Sequence, residues 1–468
     1  MPPPYTRREA LKMGISAAVT GTLPTPLLAA GDTVPKGTVP SQLPEPARHV
    51  PVCGTYDVIV AGGGPAGFAA ALAAARAGAK VKLIERAGCL GGVWTSGCLS
   101  WVIDSANKTG IMSELRMILQ KEGALRQQGG SFAYDPESMK AILEELCLSS
   151  NVDIRLHTGV CAAYANNARK LETIVTESKS GREAWRAAAF VDATGDGDLA
   201  ALAGCRFDMG HPETGAVQPM SLVALVYGVL PETIRSFIGA GGNKEAKARL
   251  FAEFQRAGVT PSYAAPTLFH IREDLYALMA NHEYNALATN ADDVTRATLH
   301  ARQEVRKLVR ALAGLGEPWK GLRLVCTGSQ IGIREGRRIH GLYTVTSEDM
   351  IAGRRHQDAV CTTTFGIDVH SIDPKKSRDY DRENRIKTQA YDIPLRSLIA
   401  KDVNGLLMAG RCISGDFLAH SSYRVTGNAV AMGEAAGRCA ALAARHGVLP
   451  QDVPWNALRQ ASEQSKPS

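Results

Sequence analysis

Three glycines, Gly62, Gly64 and Gly67, stand directly after the apolar run Tyr56 to Ala61 and open an alanine-dense stretch, Ala66 to Ala77. A strand, a glycine turn and a helix in that order make a site for a dinucleotide. Gly62 permits the tight turn, Gly64 lets a pyrophosphate approach the backbone, and Gly67 lets the helix pack on the sheet. The helix start at Ala66 then aims free amides and a positive dipole end at the phosphates. The next apolar run, Val81 to Ile84, ends at Glu85, about 20 residues beyond the turn, where a carboxylate accepts from ribose hydroxyls. Glutamate there, rather than arginine, argues against a 2′-phosphate. Groups able to move a proton or hold an anion come late in the chain: His370, His420 and Arg424, the last two just ahead of a helix start at Gly427 and Asn428. Imidazole suits proton abstraction from a hydroxyl at neutral pH. Arg424 suits a substrate carboxylate or a ligand phosphate.

Further strand-to-glycine junctions extend the nucleotide site. Glu85-Arg86-Ala87-Gly88-Cys89-Leu90-Gly91-Gly92 places a second glycine pair just after the ribose carboxylate. Ala189 to Ala193 is an apolar strand running into Thr194-Gly195-Asp196, and Leu406 to Ala409 is another, ending in Gly410-Arg411. Junctions so widely spread imply one ligand crossing the carboxyl ends of one sheet. The glycine pair after Glu85 resembles the extended fingerprint of the glutathione-reductase-like and succinate-dehydrogenase-like flavoproteins, which favours FAD over NAD. By the same resemblance Val160, after Leu156-His157-Thr158-Gly159, is the backbone contact to adenine.

Taken with Gly91-Gly92-Val93-Trp94-Thr95-Ser96-Gly97, Asp392-Ile393-Pro394-Leu395-Arg396-Ser397-Leu398 and Gly410–Gly437, these motifs resemble the FAD-dependent oxidoreductase family related to the flavin module of heterodisulfide reductase. The resemblance covers nearly all of residues 55–445. It implies that the helix starting near Gly427 faces the pyrimidine side of the isoalloxazine, with Asn428 adding a donor. It also shows a departure: where many disulfide-reductase-type flavoproteins carry Asp after the third glycine, this chain has Arg411, and Asp416 is the substitute candidate for the ribityl hydroxyls.

These sites need an α/β fold: a Rossmann-like FAD-binding domain of the glutathione-reductase and succinate-dehydrogenase type, with an inserted, mostly helical cap. Residues 55–206 form its first part and 207–330 the substrate region, in which Pro231 to Gly316 reads as helical. One face of that stretch carries Ala301, Val305, Leu308, Val309 and Leu312, a helical spacing. Residues 331–446 return the cap strands and complete the FAD-binding domain, and 447–468 read as a tail. The final helix, Ala429 to Ala444, holds Gly433 and Gly437 and suits close backbone packing.

Residues 1–31 read as an address. Arg7, Arg8 and Lys12 precede the apolar run Met13 to Leu23 and small residues at Ala29-Ala30-Gly31, the layout of a removable signal. The arginine pair resembles a twin-arginine signal, which implies a periplasmic or otherwise exported protein that engages the twin-arginine translocation machinery. Residues 32–54, with Pro35, Pro40, Pro44, Pro46 and Pro51, read as a linker.

The formal net charge of +7 is spread without a basic block, so nucleic acid is not an expected partner. The apolar stretches are too short, and too rich in alanine and glycine, for a stable membrane span. Ten cysteines include no C-x-x-C pair, and no metal site is expected. The leading reading is a dehydrogenase or oxidase that takes hydride from a small polar substrate, such as a sugar or polyol, and passes electrons to an acceptor the sequence leaves open. The alternative is an electron-transfer component with a 4Fe-4S cluster beside the flavin, for which Cys89 and Cys98 are the scattered candidates.

Overall fold

The first strand, β1, spans Val52–Ala61, so the end of the stretch expected to be linker is already sheet. In the computed structural model the described residues are 45, 47–239, 243–373 and 386–464. The expected signal over 1–31 lies outside them. β1 turns through the glycines into helix α1, Pro65–Arg76, where proline at the first helical position loses no hydrogen bond. β2 follows at Val81–Ile84, then β3 at Asp153–Arg155. Strands β4 (Gly159–Ala165), β5 (Leu171–Ser178) and β6 (Gly181–Asp192) form an antiparallel meander. Its last strand returns to pair with β1 in parallel.

The parallel part runs β3-β2-β1-β6, and Val58, Ile59, Val60 and Ala61 are fully buried. An uninterrupted apolar run is what a strand covered on both faces requires. Its register decides where the ligand turns lie. Ala61 is opposite Ile84 and opposite Asp192, so these three strands end level and their glycine turns leave from one edge.

The cap is where the sequence reading needs correction. β7 (Ala224–Tyr227), β8 (Thr267–Arg272), β9 (Leu275–Met279) and β10 (Arg323–Thr327) form one antiparallel sheet in the order β8-β9-β7-β10. Pro231 to Gly316 therefore contains a β-hairpin between helices α2 (Lys244–Arg256) and α3 (Ala291–Gly314). The hairpin alternates residues on two apolar faces, which hides its period of two in the sequence. Leu268, Tyr276 and Leu278 pack with Leu250 and Phe254 of α2 and Val305, Leu308 and Val309 of α3. Phe269, Ile271 and Ala277 pack instead on Trp101 and Ala133 of the first half, with Phe269 stacked on Trp101 at 5.3 Å. The cap sheet is thus held between its own helices and the nucleotide domain.

β11 (Ala359–Thr363) pairs with β12 (Tyr391–Pro394), and β13 (Leu406–Met408) joins the main sheet beside β6, with Met408 opposite Asp192. Two helices follow, α4 (Phe417–Tyr423) and α5 (Thr426–His446). Helix α5 lies on α1 at a small-residue seam, where a methyl on Gly433 would sit 2.0 Å from the Ala66 carbonyl. The expected tail also carries a helix, α6 (Trp455–Gln464), whose Leu458 joins the main core.

Candidate active site

The turn after β1 and the turn after β2 are tied to each other by the strand-end carboxylate. Glu85 accepts from the Gly63 amide at 2.6 Å and the Ala87 amide at 2.7 Å, and Gly91 N–H donates to the Gly63 carbonyl at 2.8 Å. Gly92 lies against Gly64, its absent methyl 3.1 Å from the Gly64 Cα. A methyl on Gly67 would fall 1.7 Å from the Gly62 carbonyl, so only glycine lets α1 start this close to β1. At Gly64 a methyl would meet nothing within 4 Å. That face is open beside the first-turn amides of Ala66 and Gly67, which have no partner within the helix. Arg86 is exposed. Val160 is half-buried on β4, and the segment before it is held beside Glu85 by Thr158 N–H donating to the Glu85 carbonyl at 2.9 Å.

At the end of β6, Asp192 is fully buried and accepts from the Thr194 hydroxyl, the Thr194 amide and the Ala200 amide. Burial raises its pKa to about 6 against these three donors. Thr194 is therefore a brace of the turn. Arg411 covers Gly195, donates to Asp196 at 2.7 Å and donates to the Ile333 carbonyl at 2.6 Å. The departure from the flavoprotein pattern at Arg411 is thus answered by an acid of the same site. Asp416, like Glu85, is engaged by two backbone amides. One oxygen caps α4 by accepting from the Ala419 amide at 2.7 Å, and the other accepts from the Ser347 amide at 2.7 Å.

His420 lies within α4, not in a loop, and is fully buried. Neither ring nitrogen has a hydrogen-bond partner. Burial, with Arg338, Arg424 and Arg411 nearby, lowers its pKa well below the usual histidine value. Asn428, in the first turn of α5, is equally buried, and both its amide oxygen and nitrogen are unpartnered. Each such group costs about 1–3 kcal/mol if left unmet, so their concentration here points to a polar ligand.

His370 lies in the loop beyond β11 rather than at a strand end. Its Nε2 is 3.4 Å from Asp368 Oδ2, and the same carboxylate is 3.3 Å from Arg424 Nη2. Arg424 also donates to the Asp368 carbonyl at 2.8 Å. The cap supplies Gln218, whose side-chain oxygen accepts from the His370 amide at 3.0 Å, and His282, whose ring centre is 5.1 Å from that of His370. Gln218 Nε2 and His282 Nε2 are buried without partners. Burial and Arg334 hold His370 down to about 4, with Asp368 opposing. Asp368 stays well below the usual carboxylate range; burial works against this, but His370 and Arg424 outweigh it. The structure thus joins His370 and Arg424 through Asp368, and adds Gln218, His282 and Arg334, which the sequence reading did not single out. A basic residue following an isoleucine-rich run, Ile331-Gly332-Ile333-Arg334, was the available cue.

Cys98 and Cys326 face each other within hydrogen-bond reach, and the other described thiols are not grouped with them as a metal-ligating set. Among the described residues, the one grouping of three metal-ligating side chains is Glu283, His300 and Glu304, with no cysteine in it. A cluster needs three or four thiolates around it, so the 4Fe-4S alternative lacks its ligands among the described residues. No helix among the described residues is long and apolar enough to cross a membrane.

Comparison with known proteins identifies the family. The family model described as FAD dependent oxidoreductase matches residues 57–461. The chain belongs to the FAD-dependent oxidoreductase family. FAD is therefore its cofactor, and an α/β fold with a Rossmann-like core is the family architecture. Dihydrolipoyl dehydrogenase of Trypanosoma brucei brucei is 45% identical over 53 residues, 11% of each chain. Among solved structures, this oxidoreductase is similar to a geranylgeranyl bacteriochlorophyll reductase-like protein from Thermoplasma acidophilum, with 13% identity, a TM-score of 0.45 and coverage of 88% of this chain and 83% of that one. It is similar also to p-nitrophenol 4-monooxygenase from Pseudomonas putida, with 12% identity, a TM-score of 0.45 and coverage of 88% and 85%. These comparisons support the FAD-dependent oxidoreductase family as a whole, and none of the relatives named above is a heterodisulfide reductase.

Proposed function

We propose that this FAD-dependent oxidoreductase is a dehydrogenase or oxidase that oxidises a C–OH group of a small polar substrate in the buried pocket between the nucleotide domain and the cap. The observation that carries the reading is the half-buried Asp368–His370 pair, set among unpartnered polar groups from both halves of the chain.

The residues present fit FAD. The open face at Gly64, with the Ala66 and Gly67 amides, would take the pyrophosphate, and Glu85 would meet the ribose beside Gly91 and Gly92. Val160 would contact adenine. Gly195, Asp196, Gly410 and Arg411 would border the ribityl portion. The unpaired amide of Asn428 and the first turn of α5, at Gly427, would meet the ring. Bound there, FAD supplies the two-electron acceptor. The protein supplies the rest. Asp368 holds Nε2 of His370, which leaves Nδ1 to take the hydroxyl proton, and depressed basicity keeps the ring neutral and ready at pH 7. Arg424 fixes Asp368. His420 is the second candidate base; its unpartnered nitrogens suit hydrogen bonding to the cofactor or the substrate.

Export is part of the same proposal. It rests on Arg7-Arg8, the apolar run from Met13 and the small residues at Ala29-Ala30-Gly31. The chemistry is tested by mixing the FAD-loaded protein anaerobically with a panel of sugars, polyols and hydroxy acids. Bleaching of the flavin by members of the panel is the expected result, and no bleaching by any C–OH compound would refute the reading.

A further inference from the structure

Among the described residues, the side chains around Asp368 carry more positive charge than that carboxylate can balance. Arg334 is nine-tenths buried, yet its guanidinium meets only neutral groups: it donates to the Pro219 carbonyl at 2.6 Å and the Ser221 hydroxyl at 2.9 Å, and lies 3.9 Å from the Met279 sulfur. Among the described residues no carboxylate lies within ion-pair distance of it. Asp368, the acid of this pocket, is already engaged by Arg424 and His370. Lys247, half-buried on α2, lies within electrostatic reach of the same carboxylate and makes no ion pair among the described residues. The neighbouring acids are also spent, Glu335 on Arg338 at 2.6 Å and Asp196 on Arg411 at 2.7 Å. Among the described residues, Arg334, Arg424 and Lys247 therefore share Asp368 as the one nearby carboxylate not committed to another arginine outside this group.

A buried arginine without a counter-ion is costly, and chains normally pair it. Packing alone does not ask for a charge at position 334, since two neutral acceptors could be met by an amide. Burial and Arg424 lower the Arg334 pKa to about 10, so it remains a cation at pH 7. His282 and Arg424 lie within electrostatic reach of it, and Gln218 precedes the proline whose carbonyl it binds; Nε2 of Gln218, Nε2 of His282 and Nε of Arg424 are unpartnered. All are nitrogens on side chains that can donate.

We propose that this pocket takes its substrate as an anion, a small hydroxy acid or sugar acid whose carboxylate is the missing counter-ion of Arg334. This narrows the substrate class of the reading above and rests on it for the position of the pocket, though not for the role of His370. The carboxylate sits on Arg334, with Gln218 and His282 as neutral donors beside it. A guanidinium offers a planar fork that matches a carboxylate. Lys247, less buried, adds a positive rim that favours entry of an anion.

The test uses the FAD-loaded full chain at constant ionic strength. Acetate and propanoate, which cannot be oxidised as alcohols, serve as binding probes read by the change in the flavin absorption spectrum. Lactate and its neutral counterpart propane-1,2-diol serve as a matched pair of reductants. A saturable spectral change with acetate or propanoate is expected, with the dissociation constant raised at least ~10-fold in Arg334→Met, the loss of about one charge-assisted hydrogen bond. FAD content should be unchanged. Arg334→Lys should recover part of the affinity. Lactate should bleach the flavin faster than propane-1,2-diol.

If Arg334→Met does not fold, the lysine variant and the wild-type comparison decide. No saturable response to either carboxylate would overturn the proposal, as would equal affinity in wild type and the arginine variants. Faster bleaching by the neutral diol would overturn it too, while leaving C–OH oxidation standing. Carboxylate binding without bleaching by any alcohol would instead support the anion site and remove the dehydrogenase reading.

Discussion

Replacing Gly433 by alanine should weaken FAD binding although Gly433 itself is not placed against FAD. The added methyl would sit 2.0 Å from the Ala66 carbonyl and 2.8 Å from its carbon, both backbone atoms of α1. Ordinary contact begins near 3.4 Å, so α1 and α5 must separate by roughly 1 Å or more. Overpacking of this kind costs about 1–3 kcal/mol, and the better helix propensity of alanine returns at most ~1 kcal/mol. The displaced residue lies next to the amides that face the open side of Gly64, so the shift acts where the phosphates are held. A loss near 1.4 kcal/mol in binding is a tenfold rise in Kd, and about that is expected. Gly437→Ala is the control. Its methyl would meet the Ala70 carbonyl at the same 2.0 Å, one turn further from the phosphate end. Both variants should lose similar stability to urea, but Gly437→Ala should change FAD affinity by less than about threefold. The assay is titration of apoprotein with FAD followed by flavin fluorescence. Equal FAD affinity in wild type and Gly433→Ala would refute the reasoning, and so would equal losses in both variants.

Glu85→Ala should weaken FAD by ~1–3 kcal/mol, since it removes a carboxylate that organises the Gly63 turn as well as one expected on the ribose; unchanged affinity would count against the site. Stability should fall with acid. His370 has a folded pKa of about 4 against ~6.5 unfolded, so its contribution is whole above the unfolded value and is lost as pH falls toward 4. That loss is ~3 kcal/mol at pH 4. In urea titrations His370→Asn should lose less between pH 7 and pH 4 than wild type does, and equal losses would deny His370 the role. Arg7→Lys combined with Arg8→Lys should leave a folded, flavin-loaded precursor in the cytoplasm, checked by cell fractionation; unchanged export would remove the twin-arginine reading.

The nucleotide half was legible because its information is local. Gly62, Gly64, Gly67 and Glu85 lie within one strand-turn-helix-strand unit, and their spacing is set by backbone geometry that any chain must satisfy. The apolar face of α3 was legible for the same reason, its period being that of the helix. The hairpin at Thr267–Arg272 and Leu275–Met279 was not, because both its faces are buried and its alternation is invisible in hydropathy. The pocket was legible only in part. His370 and Arg424 stood out by residue type, whereas Gln218, His282, Arg334 and Asp368 come from separate stretches of chain. Only the cap's return onto the nucleotide domain makes neighbours of them, and nothing in their local spacing records that contact. The capping bond of Asp416 was not legible either, because it depends on where α4 begins and not on the residue type alone.

In the proposed reaction the Asp368–His370 pair removes the substrate's hydroxyl proton. The direct measurement is anaerobic stopped-flow reduction of bound FAD in wild type, His370→Asn and His420→Asn, with whichever substrate first bleaches the flavin. His370→Asn should slow reduction by ~10²–10⁴ with FAD still bound. His420→Asn should change the per-flavin rate far less, with its effect falling on FAD affinity. A His370→Asn rate within about threefold of wild type, far short of what loss of a general base costs, would take the base role from His370.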